Sequence, residues 1–220
     1  MSRVNIFLCC FFVAPIFALS QSIIHATLFA TDSEQSVFFC PSSTGNQIIN
    51  HNGFSLSYDE QAEQADWVFY KLTSSSISSS IDRSNDYRED PSVNEGSATL
   101  EDYRNSGYDR GHMAPAGSMK ADAQSMSHSF FMSNMSPQYP GFNRGVWKRL
   151  EEKIRYWVGS NDSIFVVTGP VLDSPIDTIG SNNVIVPRAY YKTLLAYKNK
   201  KVSGIGFLLP HEESDKPLYT

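Results

Sequence analysis

One stretch of this chain has the apolar spacing of a helix of several turns, and strand-like stretches surround it. From Asn143 onward, apolar side chains recur at steps of three and four residues, at Val146, Trp147, Leu150, Ile154 and Trp157. Apolar runs with the alternation or density of strands occupy residues 54–58, 67–72, 163–168, 183–186, 190–197 and 202–209. The last two runs flank Lys198–Lys201, which we expect to form a hairpin turn. This mixture predicts one mixed α/β domain within the 220 residues.

The first twenty residues have the pattern of a secretory signal peptide. Arg3 precedes an apolar run from Ile6 to Phe17, and small residues follow at Ala18 and Ser20. The run is too short to span a bilayer comfortably, so a membrane anchor is the weaker alternative. We therefore expect a signal peptide at 1–20, a polar N-terminal segment at 21–52 and a folded domain at 53–220. The mature protein is expected to be secreted or periplasmic, with no membrane contact.

Composition and charge limit how such a domain could bind its ligands. Hydrophobic residues make up 41% of the chain and aromatic residues 13%, which is enough for a sizeable core. Removing the signal leaves 17 basic against 23 acidic side chains, a formal charge of −6. A polyanion would therefore have to be bound by a local basic patch and not by the field of the whole protein. Cys40 would be the only thiol left, either inert or in an intermolecular bridge.

Three polar segments follow one another in the middle of the chain, at Asp109–His112, Ser133–Gln138 and Asn143–Glu151. Metal-assisted cleavage of a phosphodiester needs a general base, a neutral oxygen ligand for a hard cation and nearby arginines. His112 has an ordinary pKa of about 6.5 and is the candidate base. We expect Gly111 to let the chain turn sharply and display the imidazole at a strand end. The alternative is a structural or merely solvated histidine.

Two interpretations are open for each of the polar residues that begin and end the third segment, Asn143 and Glu151. Asn143, at the start of the predicted helix, could be an N-cap or a metal ligand through its amide oxygen. Glu151 follows about two turns later, and could reach the same pocket or pair with Arg155. A subset of the arginines around the motifs is expected to contact phosphates, because a guanidinium can bind two phosphate oxygens. These arginines are Arg83, Arg88, Arg104, Arg110 and Arg144.

Together, in this order, the three segments closely resemble the DNA/RNA non-specific endonucleases of the ββα-metal type. That family includes secreted bacterial nucleases and mitochondrial endonuclease G, and the resemblance runs roughly from Gly53 to Leu209. It implies an α+β fold, in which a central antiparallel sheet is flanked by helices. It also implies a ββα-metal motif, in which two short strands and the helix from Asn143 enclose the cation.

The resemblance also implies a role for each matched residue. His112 would be the general base, Asn143 the metal ligand, and Glu151 would hold water of the cation's shell. Asn134 would position the site, and Arg83 would contact the phosphate, with Arg110 and Arg144 as further substrate contacts. The expected cofactor is Mg²⁺, with Mn²⁺ as a substitute. The expected substrates are DNA and RNA, cleaved with little sequence preference to 5′-phosphate products. The alternative is a catalytically silent, secreted nucleic-acid-binding or effector protein on the same fold.

Two departures from the family pattern concern stability more than chemistry. Cys40 matches a position that is disulfide-bonded in some members, but its partner is absent here. Family members also usually continue past the position of Thr220 into another segment. The sequence is therefore expected to be either a short variant or incomplete.

Overall fold

The structure is a computed structural model that describes residue 41 and residues 45–78 and 80–218. The predicted signal peptide at 1–20 and the predictions for Cys40 lie outside these residues. In the described part, no helix has both the length and the apolar character needed to cross a membrane.

The described residues form strands, short helices and one longer helix. The strands are β1 Gln47–His51, β2 Phe54–Asp59, β3 Gln64–Leu72, β4 Asp109–His112, β5 Met135–Gln138, β6 Ser163–Pro170, β7 Asp177–Ile179, β8 Val184–Val186, β9 Ala189–Lys198 and β10 Lys201–Pro210. The α-helices are α1 Ser74–Ile77, α2 Leu100–Tyr103, α3 Ala123–His128, α4 Pro140–Phe142 and α5 Lys148–Val158. Two 3₁₀ turns, Ala116–Ser118 and Met132–Asn134, and a π-helical turn, Asn143–Trp147, complete them.

Six strands form one antiparallel sheet in the order β1-β2-β3-β6-β9-β10, which confirms the predicted α+β class. Each apolar run predicted to be a strand overlaps one. The predicted hairpin turn between β9 and β10 is closed by Asn199 and Lys200. Both have positive φ, as a two-residue hairpin loop requires. The sheet begins at β1, ahead of the boundary expected at residue 53.

Residues 73–162 leave the sheet between β3 and β6 and carry all three polar segments. Within this excursion β4 pairs with β5, from Asp109 opposite Gln138 to His112 opposite Met135. The helical segment at 140–158 follows directly. Its last helix, α5, buries Leu150, Ile154 and Val158 against one face of the sheet. The apolar spacing in the sequence is therefore explained by contact with this core.

The helical segment does not start where the sequence predicts. It begins at Pro140, because proline is favoured in the first turn of a helix. Asn143 has helical backbone angles, with φ −58° and ψ −50°, so the N-cap interpretation is wrong. The backbone departs from helical geometry at Gly145, where φ is −98° and ψ is −112°.

Gly111 was expected to allow a sharp turn, but its structural role is different. It lies inside the β4–β5 ladder, opposite Ser136, and makes no sharp turn. A Cβ atom at this position would collide with the side chain of Gln138. The glycine is therefore required by the close approach of β5 and not by a corner in the chain.

Candidate active site

An open cleft of about 750 Å³ lies between β4, the helical segment and the loop that carries Arg83. Six of the predicted site residues line it: Arg83, Arg110, His112, Asn143, Arg144 and Glu151. Arg104, Lys148 and Arg155 also line it, which makes six basic side chains against the two acids Asp109 and Glu151. This group of basic side chains is a local positive patch of the kind that a polyanion would need in order to bind an acidic chain.

Strand β4 sends its polar side chains in two directions. Successive residues of a strand point to opposite faces, so Asp109 and Gly111 share one face and Arg110 and His112 share the other. Asp109 bonds to the helical segment, while the Arg110 guanidinium lies 4.3 Å from the centroid of the Tyr87 ring. Although they leave opposite faces of the short strand, Asp109 and His112 both line the cleft.

His112 ends β4 and is buried, with 7% of its surface exposed, and not displayed as predicted. Its ring meets Phe130 edge-on, with the centroids 4.9 Å apart. A hydrogen bond joins the ring to the backbone of Arg110, while Nε2 finds no hydrogen-bond partner among the described residues. Since Nε2 is free, the bond to the backbone uses Nδ1.

The electrostatic surroundings keep this imidazole neutral. Burial, together with the positive charges of Arg83 and Arg110, lowers the pKa of His112 to about 3. The Nδ1 proton is donated to a backbone carbonyl, so Nε2 carries the unprotonated lone pair. A neutral imidazole with one fixed proton and one free lone pair is the form that a general base needs.

Asn143 is oriented by Asp109, a residue to which the sequence assigned no role. The amide nitrogen of Asn143 donates a hydrogen bond to Asp109 Oδ2 at 2.9 Å. Arg144 holds the same carboxylate from the solvent side, with Nε 2.8 Å from Oδ2 and Nη2 2.6 Å from Oδ1. The bond to Asp109 uses the amide nitrogen, so the amide oxygen is the atom left to bind a cation.

The donor set fits a hard cation that keeps much of its water. Across the described residues, no three His, Cys, Asp or Glu side chains converge as metal ligands. A cation in this cleft would be bound directly by the amide oxygen of Asn143 and through water by Glu151, and Mg²⁺ tolerates a site with so few protein ligands. Burial raises the pKa of Glu151, and the positive charges of Lys192, Arg155 and Arg83 oppose that rise.

Two arginines complete the positive side of the cleft. Arg83 donates through Nε to Asn85 at 2.8 Å and through Nη2 to the Tyr87 hydroxyl at 3.2 Å. Its guanidinium also lies 4.7 Å from the Phe130 ring centroid, on the ring that packs against His112. Arg155, given no role from the sequence beyond a pair with Glu151, lines the cleft beside Gly117.

Asn134 lies behind the cleft and not among the residues that line it. Its side chain is fully buried and bonds only to backbone. The amide nitrogen donates to the carbonyls of Ala114 at 2.9 Å and Ser129 at 2.8 Å, and the amide oxygen accepts the Ala114 N–H at 2.9 Å. Asn134 therefore fixes the loop that immediately follows His112.

Replacing Asn134 by alanine should lower the free energy of unfolding by about 2–4 kcal/mol, because three buried backbone groups lose their partners. Urea unfolding of the variant measures this loss. Asn161→Ala is a suitable control, since Asn161 makes one bond to a carbonyl in a part-buried turn. Unchanged stability together with lost cleavage would mean that Asn134 contacts the substrate directly.

Comparison with known proteins identifies the family of the chain. Residues 34–219 match the family model described as DNA/RNA non-specific endonuclease. The chain is 34% identical to Nuclease C1 of Cunninghamella echinulata var. echinulata, over 84% of this chain and 79% of that protein. It is also 34% identical to human mitochondrial endonuclease G, over 68% of this chain and 54% of that protein.

A solved structure is similar throughout most of the domain. The structure described as the EndoG/EndoGI complex superposes with a TM-score of 0.74 at 33% identity, and the match covers 79% of this chain and 78% of that one. The chain spans about half the length of the vertebrate EXOG proteins that it matches. Its relatives named here are nucleases, which confirms the predicted class of enzyme. The chain belongs to the DNA/RNA non-specific endonuclease family.

Proposed function

We propose that this protein is an exported, metal-dependent endonuclease that hydrolyses DNA and RNA with little sequence preference. One observation carries the proposal. The free Nε2 lone pair of buried, neutral His112 and the Asn143 amide share a cleft lined by six basic side chains. A base, an oxygen ligand and a positive lining are the components that phosphodiester hydrolysis requires.

His112 removes a proton from the attacking water onto Nε2, while Nδ1–H stays bonded to the Arg110 backbone. The fixed Nδ1 bond holds the ring in one tautomer and one orientation. Phe130 and Tyr87 pack edge-on against the ring and restrict its movement. The imidazole is thus positioned before substrate binds, which reduces the entropic cost of reaching the transition state.

Asn143 would bind the cation directly and Glu151 would hold its water, and Asp109 keeps the amide oxygen of Asn143 directed away from itself. When bound, Mg²⁺, or Mn²⁺ in its place, polarises the phosphate and stabilises the leaving 3′ oxygen. Glu151 accepts hydrogen bonds from water in the cleft when its carboxylate is ionised. Release of the 3′ oxygen leaves a 3′ hydroxyl on one product and a 5′ phosphate on the other.

The basic residues account for the lack of sequence preference. Arg83, Arg110 and Arg144 present guanidinium groups, which bind phosphate oxygens that every nucleotide carries.

The proposed export rests on the signal-like residues 1–20, whereas several relatives are named as mitochondrial.

A fluorescent nucleic-acid degradation assay tests the proposed function. DNA and RNA of unrelated sequence should both be cleaved with Mg²⁺, and EDTA should abolish the cleavage. Binding without cleavage, at any Mg²⁺ or Mn²⁺ concentration, would support the alternative of a catalytically silent nucleic-acid-binding protein.

Replacing Arg83 by alanine should reduce the salt dependence of binding by the same amount on every substrate. Each phosphate contact contributes about −0.9 to the slope of log affinity against log salt on duplex DNA, so the loss should be about one unit. The slope is measured by anisotropy in EDTA, which prevents cleavage. Arg188→Ala is the matched control, because Arg188 is exposed outside the residues that line the cleft. A slope that is unchanged, or changed on one sequence only, would contradict the phosphate contact.

A further inference from the structure

Strand β10 is an exposed edge of the six-stranded sheet. It is the last strand in the sheet order, and among the described residues no further strand pairs with its outer side. Lys201 begins the strand and Pro210 ends it, and the eight residues between them carry no charge. Natural sheets usually protect such an edge with charges, a bulge or a covering segment, because open N–H and C=O groups can pair with another strand. The uncharged edge of β10 is therefore a candidate interaction surface.

The hairpin between β9 and β10 determines which backbone groups of the edge are open. The residues that flank its two-residue turn, Lys198 and Lys201, form a hydrogen-bonded pair. Along an antiparallel ladder such pairs alternate with non-hydrogen-bonded ones, whose N–H and C=O groups point away from the partner strand. On β10 the residues with outward groups are Val202, Gly204, Gly206 and Leu208. The edge can thus form a ladder with one more antiparallel strand.

Three apolar side chains of β10 are exposed, and their spacing is symmetric about Ile205. Val202 is 51% exposed and Leu208 is 66% exposed, on one face of the sheet. Ile205 is 46% exposed on the other face, where it borders a groove of about 260 Å³ beside Trp157 of α5. Ile205 lies three residues from each of the other two. Two copies of the strand in antiparallel alignment therefore bring apolar side chains opposite each other on both faces.

We propose that β10 pairs antiparallel with β10 of a second copy of this chain, about a two-fold axis at Ile205. In this register Val202 of each copy lies opposite Leu208 of the other, and Gly204 lies opposite Gly206. These four residues carry the outward N–H and C=O groups, so they form the hydrogen-bonded pairs of the new ladder. Ile205 lies opposite its own counterpart in a non-hydrogen-bonded pair, with the Cα atoms about 4.5 Å apart. A two-fold pair of this kind closes on itself and leaves no edge of β10 open.

The charges at the two ends of β10 match the antiparallel direction. Basic residues surround the turn before the strand and acidic residues follow its end, and all of them are exposed: Lys198, Lys200, Lys201, Glu212 and Glu213. None of the five forms an ion pair in the described part of the chain. Antiparallel pairing places the basic end of each copy beside the acidic end of the other, whereas the parallel direction would bring like charges together. The edge is thus complementary to itself, which identifies a second copy as its partner.

Disulfide cross-linking tests the register, in a background where the three native cysteines are replaced by serine. Ile205→Cys should form a covalent dimer on mild oxidation, because Cα atoms about 4.5 Å apart are within the range of a disulfide. Ser203→Cys is the matched control. Ser203 is exposed on the same face, but its counterpart lies about 14 Å away in this register. Non-reducing gel electrophoresis measures both. No cross-linking of Ile205→Cys, or equal cross-linking of the two variants, would overturn the proposal.

The mass of the protein in solution tests the association itself. Size exclusion with light scattering should show a dimer that dissociates on dilution, with a Kd of about 1–100 μM, because a single strand edge forms a small interface. Gly204→Pro should be monomeric with an unchanged circular dichroism spectrum, because proline removes an N–H that points outward and donates nothing to β9.

Leu208→Lys keeps the test valid if the proline variant does not fold. It places a charge against Val202 of the second copy and should also give a monomer, while Tyr156→Lys should remain dimeric. Tyr156 is the matched control, since it is 72% exposed on α5, away from the edge. A wild-type protein that is monomeric throughout the range, a dimer that survives in both edge variants, or oligomers larger than a dimer would overturn the proposal. These measurements need neither nucleic acid nor a cation, so they are independent of the proposed function.

Discussion

Replacing His112 by alanine should reduce the cleavage of both DNA and RNA by about 10²–10⁴-fold, the usual effect of removing a general base. The buried ring also contributes packing against Phe130, so stability should fall by about 1–3 kcal/mol. His112→Gln fills more of the space without supplying the base, and should lose the same activity with less loss of stability. Initial rates on both substrates and urea unfolding measure the two effects. Activity within threefold of the wild type would show that His112 is not the base.

The same residue makes a prediction about pH. Because burial and two arginines lower the pKa of His112 to about 3, the free enzyme holds the neutral, active imidazole at all pH values above that. His112 should therefore not be the group that sets the acidic limb of kcat/KM. An ordinary histidine would place that limb near its pKa of about 6.5. Titration of the ¹⁵N-labelled imidazole in metal-free protein checks the value directly.

Replacing Asn143 by alanine should abolish Mg²⁺-supported cleavage, with a loss of at least about 10²-fold, because the oxygen ligand disappears. Stability should change little. The residue is not an N-cap, and its contact to Asp109 is shared with Arg144. Rates measured against Mg²⁺ concentration, with Mn²⁺ binding followed by EPR, separate lost metal affinity from a lost fold.

Asn94→Ala is the control for that experiment, since Asn94 is an exposed loop residue outside the cleft. Asp109→Asn adds a second comparison, because it weakens the contact that orients the amide while leaving the ligand atom in place. It should reduce cleavage less than Asn143→Ala does. Full activity of Asn143→Ala at saturating Mg²⁺ would eliminate Asn143 as the ligand.

The sequence predicts the sheet well because local patterns determine its strands. The dense apolar run at 67–72 becomes β3 at the centre of the sheet, and Lys198–Lys201 becomes a hairpin turn with two residues at positive φ. The three motif segments also identify five of the side chains that line the cleft, and the family resemblance adds Arg83. These features depend on neighbours within a few residues, or on motifs that are contiguous in the sequence.

Features that depend on distant partners were missed or predicted wrongly. The bond between Asp109 and Asn143 joins residues 34 positions apart, so no local pattern indicates it. Gly111 resembled a turn residue because the approach of Gln138 is visible only in three dimensions. Lys192 lies on the same strand face as Tyr190 and Leu194 and is buried with them, although lysine is rarely a core residue.

The position of the excursion has a consequence for the order of folding. The ladder between β3 and β6 pairs Leu72 with Ile164, about 90 residues apart, so it forms only after a long loop closes at an entropic cost. Pairings between neighbouring segments, such as β2 with β3 and β9 with β10, need no such closure and form faster. The sheet that supports α5, and through it the cleft, is therefore completed only after this slow closure. A growing chain that has not yet reached β6 carries the complete motifs without the sheet that holds them together.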